Sequence, residues 1–189
     1  MATFTALYDA CVLYPITVRD LLMQLATTNL FRARWTREIQ DEWVRNLLNR
    51  QPALDKAKLA RTQALMNSAV RDCLIEGYEP LIDSIKLPDP ADRHVVAAAI
   101  KAGADVIVTY NLKDFPEEAL TPHGLEARHP DKFLTHTLDL SQGVVCEAVK
   151  RCRVRSKNPP YAVDEYLTLL EKRELTQFVS GLREFAELL

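Results

Sequence analysis

Between Phe4 and about Leu138 the sequence repeatedly changes its hydrophobic period. Short runs of strand-forming residues give way to longer stretches whose apolar residues return every three or four positions. Strands alternating with helices imply a mainly parallel sheet, and right-handed crossovers place the helices on both of its faces. The expected fold class is therefore α/β, a three-layer α/β/α sandwich followed by a helical extension.

Phe4 to Tyr8 reads as a buried first strand, with the turn signal Pro15 a few residues on. Thr17 can cap a helix carrying Val18, Leu21, Leu22 and Leu25. Phe31 to Trp35 is a short strand, and Thr36 then starts a helix whose Ile39, Trp43, Val44 and Leu47 form one apolar face. Glu42 lies on the rim of that face and Asp41 nearly opposite it. Leu59, Met66, Val70, Cys73 and Leu74 mark a longer helix with Gly77 as its end. Leu81 to Leu87 reads as a strand, and Asp92 is placed to cap a helix that Gly103 ends. Residues 105 to 110, DVIVTY, form the next strand; GLEAR is a weak fifth; Pro130 suits the first turn of a helix to about Leu138.

Beyond about Asp139 the strand signals stop and three helical patterns follow, the first two separated by Pro159 and Pro160. The expected division is a catalytic domain over residues 1–139 and a helical extension over 140–189. A length of 189 residues suits one compact domain plus such an appendage. With 48% apolar and 26% charged residues there is material for a core. No apolar run approaches the roughly 18 residues of a membrane span, and the opening residues lack a basic, cleavable leader pattern. A cytoplasmic protein is expected.

Cys11, Cys73, Cys146 and Cys152 form no CxxC pair, and His94, His123, His129 and His136 have no zinc-like spacing. Buried reduced thiols and surface histidines are expected. The formal net charge of -2 gives no overall basic character. Lys150, Arg151, Arg153, Arg155 and Lys157 nevertheless form a local basic stretch that can guide RNA, bind an acidic partner or serve as a solvated connector.

Ligands of open α/β sheets bind outside the carboxyl ends of the strands. Asp9 follows the first expected strand directly, Asp92 follows the Leu81–Leu87 run, Asp114 follows DVIVTY, and Glu42 comes from a helix rim. Four carboxylates converging on one crevice repel one another unless cations balance them. Hard divalent ions such as Mg²⁺ or Mn²⁺ take oxygen ligands and suit phosphodiester hydrolysis. Each acid also has a structural reading: Asp9 as a turn residue, Glu42 as a solvated helix acid, Asp92 as an N-cap and Asp114 as a loop residue.

Four segments, LYDACVLYP, TREIQDEWVRNLL, LPDPADRHVVAAAIKAGADVIVT and YNLKDFP, together resemble the PIN-domain nucleases, particularly VapC-type toxins with a C-terminal helical extension. The resemblance covers about residues 4 to 135. It implies an Mg²⁺- or Mn²⁺-dependent endoribonuclease in which water attacks RNA without a covalent enzyme intermediate. Asp9, Glu42 and Asp92 fall on the family's first three acids. The fourth position is divided between Asn111, two residues after Thr109, and Asp114. Thr109, Asn111 and Arg93 are candidate substrate contacts, with a solvated Arg93 as the alternative. A cognate antitoxin and a homodimer are further expectations. The rival readings are a non-catalytic RNA-binding or scaffold protein of the same fold and a receiver-like phosphoacceptor module.

Overall fold

The computed structural model describes residues 4–189. In chain order its elements begin with strand β1 (Thr5–Tyr8), the one-turn helix α1 (Ala10–Leu13), helix α2 (Ile16–Ala26), strand β2 (Arg32–Arg34), and helices α3 (Arg37–Arg50) and α4 (Lys56–Ala69). Helix α5 (Arg93–Ala102), strand β3 (Val106–Val108), the short helix α6 (Glu117–Leu120) and strand β4 (Glu126–Arg128) follow. Helices α7 (Pro130–Leu140), α8 (Gln142–Arg155), α9 (Val163–Glu171) and α10 (Thr176–Arg183) complete the order. The fold is α/β, with a parallel sheet and C-terminal helices.

The four strands lie in the order β2-β1-β3-β4 and every pairing is parallel. Ala6 of β1 pairs with Ala33 on one side and Val106 on the other. All residues of β1 and β3 are buried, as central parallel strands require, because both of their faces meet protein. The edges are polar: Arg32 is exposed on β2, and on β4 Arg128 pairs with Glu126 at 2.7 Å. Charged edges discourage the addition of further strands.

The described residues form two compact units. One holds the residues up to Tyr14 together with Phe31–His129, hence the sheet and α1 and α3 to α6. The other holds Pro15–Leu30 and Pro130–Leu189, hence α2 and α7 to α10. Compactness thus groups residues differently from a division of function at 139/140.

Within the sheet unit, Thr36 caps α3 by accepting from the Ile39 N–H at 3.0 Å, as expected. Asp55 caps α4 in the same manner, accepting from Ala57 N–H at 2.8 Å. Asn67 of α4 accepts from both Trp35 Nε1 and Gln40 Nε2 at 2.9 Å, tying α4 to the start of α3. Gly103 ends α5 in the left-handed conformation, φ 57°, where glycine has no Cβ to clash.

Several expected elements are different. Thr17 lies inside α2, because the Pro15 carbonyl already accepts from Arg19 N–H at 2.9 Å and so starts the helix earlier. Helix α4 stops at Ala69 and does not reach Gly77. Asp72 takes φ 55°, and the chain then pairs beside Trp35, whose N–H donates to the Cys73 carbonyl while Ile75 N–H donates to the Trp35 carbonyl. Leu81 to Leu87 is not a strand. A 3₁₀ helix spans Glu79–Ser84, with Pro80 in its first turn, and packs against α5. The buried Ile85 and Leu87 keep a period of two without entering the sheet.

In the helical unit, the N-cap position of α10 is Leu175, which has no side-chain acceptor. Its first amides are capped from α7: buried Asp131 accepts from Gln177 N–H at 3.0 Å and Phe178 N–H at 2.9 Å. Asp131→Ala leaves these donors unpaired and is expected to destabilise the fold by about 1–2 kcal/mol. Thermal and urea unfolding of the purified chain should show a lower midpoint, and an unchanged one would contradict the capping role.

Candidate active site

The path of the chain through the sheet creates the crevice. From β1 the chain moves to β2 on one side, then returns across β1 to β3 on the other, so the connections diverge between β1 and β3. Such a switch point leaves a gap outside the carboxyl ends of the strands. Asp9 stands directly after β1, with its N–H donating to the Val108 carbonyl at 3.1 Å. Thr109 stands directly after β3, with its N–H donating to the Arg128 carbonyl at 3.0 Å.

Asp9 is only 4% exposed. Its Oδ2 accepts from Thr109 Oγ1 at 2.7 Å and from Cys11 Sγ at 3.0 Å. Burial nevertheless dominates and raises its pKa; the Thr109 and Cys11 hydrogen bonds oppose the rise, and the Glu42 charge adds to it. Burial and the neighbouring Asp9 carboxylate likewise push the Cys11 thiol up.

Asp92 does not follow a strand. It ends a one-turn 3₁₀ helix, Pro90–Asp92, at the N-terminus of α5. It occupies the N-cap position yet makes no capping hydrogen bond; the nearby cap belongs to Asp89, which accepts from Ala91 N–H at 2.8 Å. The Asp92 carboxyl is half-buried and its pKa is pushed up to about 6, first by burial and then by the charges of Asp9, Asp89, Asp114 and Glu42. The structure therefore brings Asp9, Glu42, Asp92 and Asp114 into one electrostatic neighbourhood.

Glu42 occupies a half-buried position on α3 while Asp41 is exposed, as the helix geometry implies. Glu42 has a partner that sequence reasoning missed. His94, expected at the surface, is buried on α5 between two glutamates, with Nε2 3.7 Å from Glu42 and Nδ1 3.7 Å from Glu38. Tyr78 donates to the same Glu38 carboxylate at 2.9 Å. Burial alone disfavours the imidazolium, but Glu42 and then Glu38 more than offset it, so the His94 pKa is raised. The available signal was position: His94 comes two residues after Asp92, on a helix whose neighbours Val95 and Val96 are buried.

Thr109, a candidate substrate contact, is fully buried. Its hydroxyl donates to Asp9 and accepts from Asn111 N–H at 3.0 Å, holding the strand end together. Asn111 is exposed and Asp114 half-buried on the loop that follows. Arg93 is half-buried, and its Nε is enclosed without a hydrogen-bond partner, so it is not a freely solvated arginine.

The acids fit a hard divalent cation by chemistry, since the neighbouring carboxylates that help raise the pKa of Asp9 and Asp92 would be offset by a shared positive charge. Among the described residues no group of three or more His, Cys, Asp or Glu side chains forms a ready cage for an ion. Mg²⁺ does not require one, because it keeps several waters and often binds one or two carboxylates plus substrate phosphate.

The ionisation of Asp92 has a sign that can be checked. The folded chain holds this proton more tightly than the unfolded chain, so without metal Asp92 weakens the fold as pH rises from about 4 to about 6, and the penalty persists above that range. Asp92→Asn is expected to melt above the wild type at pH 7 to 8 in the presence of a chelator, with the gap closing toward pH 4. Melting curves at stepped pH test this, and a gap independent of pH would contradict it.

Comparison with known proteins identifies the family of this fold. Residues 5–113 match the family model of the PIN domain, and residues 130–184 match that of the VapC50 C-terminal domain. Over 107 residues the chain is 37% identical to a protein of Mycobacterium tuberculosis named "Putative ribonuclease VapC50", a stretch covering 57% of this chain and 62% of that protein. The match therefore spans less than two thirds of that relative. No solved structure matches the chain significantly.

Proposed function

Because the chain belongs to the PIN-domain family, we propose that it is a metal-dependent endoribonuclease that hydrolyses RNA phosphodiester bonds as the toxin of a VapBC-type pair. The observation that carries this reading is the placement of buried Asp9 at the switch point of the sheet, with Asp92 close enough to feel the charges of Asp9, Asp114 and Glu42. The printed name of the Mycobacterium relative supports the choice of RNA.

Asp9 and Asp92 are the first-choice ligands for Mg²⁺ or Mn²⁺, with Glu42 and Asp114 completing the acidic ring and Asn111 the alternative at the fourth position. A bound divalent ion supplies charge neutralisation at the scissile phosphate and makes water a better nucleophile near neutral pH. Thr109 fixes the rotamer of Asp9, so that this carboxylate is oriented before substrate arrives. Asp92 leaves its carboxylate uncommitted to the helix amides. Glu42, steadied by His94, either holds metal or orients the attacking water.

In this reading the nuclease domain spans residues 1–139, the helical extension spans 140–189, and a cognate antitoxin blocks the site. Among the described residues no helix is long and apolar enough to cross a membrane, and we place the protein in the cytoplasm. Part of the basic stretch serves the helical unit itself: Arg153 donates to the Tyr161 carbonyl, and Arg155 donates to Gln24 at 2.9 Å.

Purified protein free of antitoxin is expected to cut labelled RNA pools with Mn²⁺ and to stop with EDTA. Removing outer partners of metal ligands costs about 10- to 100-fold, so Asp9→Asn and Asp92→Asn should lose about 100-fold or more. Cleavage in EDTA, or full activity in both variants, would reject the mechanism. A folded wild type that binds RNA without cutting it would favour a non-catalytic member of the family.

A further inference from the structure

A cleft of about 470 Å³ lies beside the acids in the sheet unit, lined by Cys11, Tyr14, Asn46, Asn49 and Arg50. Two elements lead into it from the candidate site. On α1, Cys11 touches Asp9 and lines the cleft, and Tyr14 follows one turn later. On α3, Asn46, Asn49 and Arg50 stand four, seven and eight residues beyond Glu42, which puts all of them on one face of the helix. Arg50 is about 12 Å along the axis from Glu42, at 1.5 Å per residue.

The chemistry of the cleft is opposite to that of the site. It contains no acid. Its one permanent charge is the Arg50 guanidinium, 5.4 Å from the centre of the Tyr14 ring, and Arg50 makes no ion pair with any described residue. Asn46 and Asn49 are exposed and make no side-chain hydrogen bond within the described residues. An aromatic face, one cation and two amides form the donor set that holds a single unstacked nucleotide: the ring stacks the base, the guanidinium takes a phosphate, and the amides meet base edges.

We propose that this cleft is the subsite for the nucleotide flanking the scissile phosphate, so that Tyr14 and Arg50 set RNA affinity while Asn46 and Asn49 set the base preference beside the cut. The proposal rests on the endoribonuclease reading above. It assigns binding to side chains outside the acidic ring, where a cation offsets the repulsion between phosphate and carboxylates.

The test is steady-state cleavage of a fluorescein-labelled single-stranded RNA that the wild type cuts with Mn²⁺, together with sequencing of cut ends from a randomised pool. Tyr14→Leu and Arg50→Gln should each raise KM about 10-fold with kcat nearly unchanged. Tyr14→Phe should retain wild-type KM, and Arg50→Gln should also flatten the salt dependence by about one phosphate contact. Asn46→Ala with Asn49→Ala should change the base composition beside the cut. Mn²⁺ titration and melting temperature should be unchanged in all variants. A wild type that cuts, with variants unaltered in KM, salt slope and cut-site composition, overturns the subsite and leaves the nuclease reading intact. A folded wild type that neither cuts nor binds RNA overturns both.

Discussion

The Asp9 carboxylate is buried at the end of a strand whose every residue is buried, a position in which an uncompensated charge is costly. The sheet topology supplies the compensation. Because β3 inserts beside β1, the two strand ends are neighbours, and the Thr109 hydroxyl reaches Asp9 at 2.7 Å. The same hydroxyl receives the Asn111 amide, so the loop carrying Asn111 and Asp114 is anchored to the group that orients Asp9. Misplacing the β1–β3 register by one residue would turn Thr109 to the other face of the sheet and remove this support.

Around Asp9 stand both further acids and a buried histidine. Asp92 and Asp114 bring like charge to the crevice, while buried His94 lies 3.7 Å from both Glu42 and Glu38, whose charges raise its pKa. A histidine held between two glutamates ties α5 to α3, the two helices that present Asp92 and Glu42.

Much of this arrangement was readable from residue order, for identifiable reasons. β1, β3 and α5 declare themselves through continuous burial and sharp ends, Asp9 at one and Gly103 at another. Asp9 directly after β1 and Glu42 half-buried on α3 match the places read from the sequence, because strand ends and helix rims are local properties of the chain. The false strand at Leu81–Leu87 arose because Ile85 and Leu87 alternate as a strand does while Pro80 favours a helical first turn, and only packing against α5 decides between them. The burial of His94 and the hydrogen bonds of Thr109 are not legible in the sequence for a different reason. Their roles depend on partners 52 and 100 residues away, Glu42 and Asp9, which no local pattern announces.

The thiol of Cys11 touches the oxygen of Asp9 that Thr109 also holds. Only the thiolate reacts readily with oxidants and alkylating agents. Burial and the adjacent carboxylate keep this sulfur protonated, so the arrangement that orients Asp9 also leaves its nearest sulfur chemically quiet. The cysteine at the edge of the crevice is therefore expected to react slowly with oxidants and thiol-directed reagents.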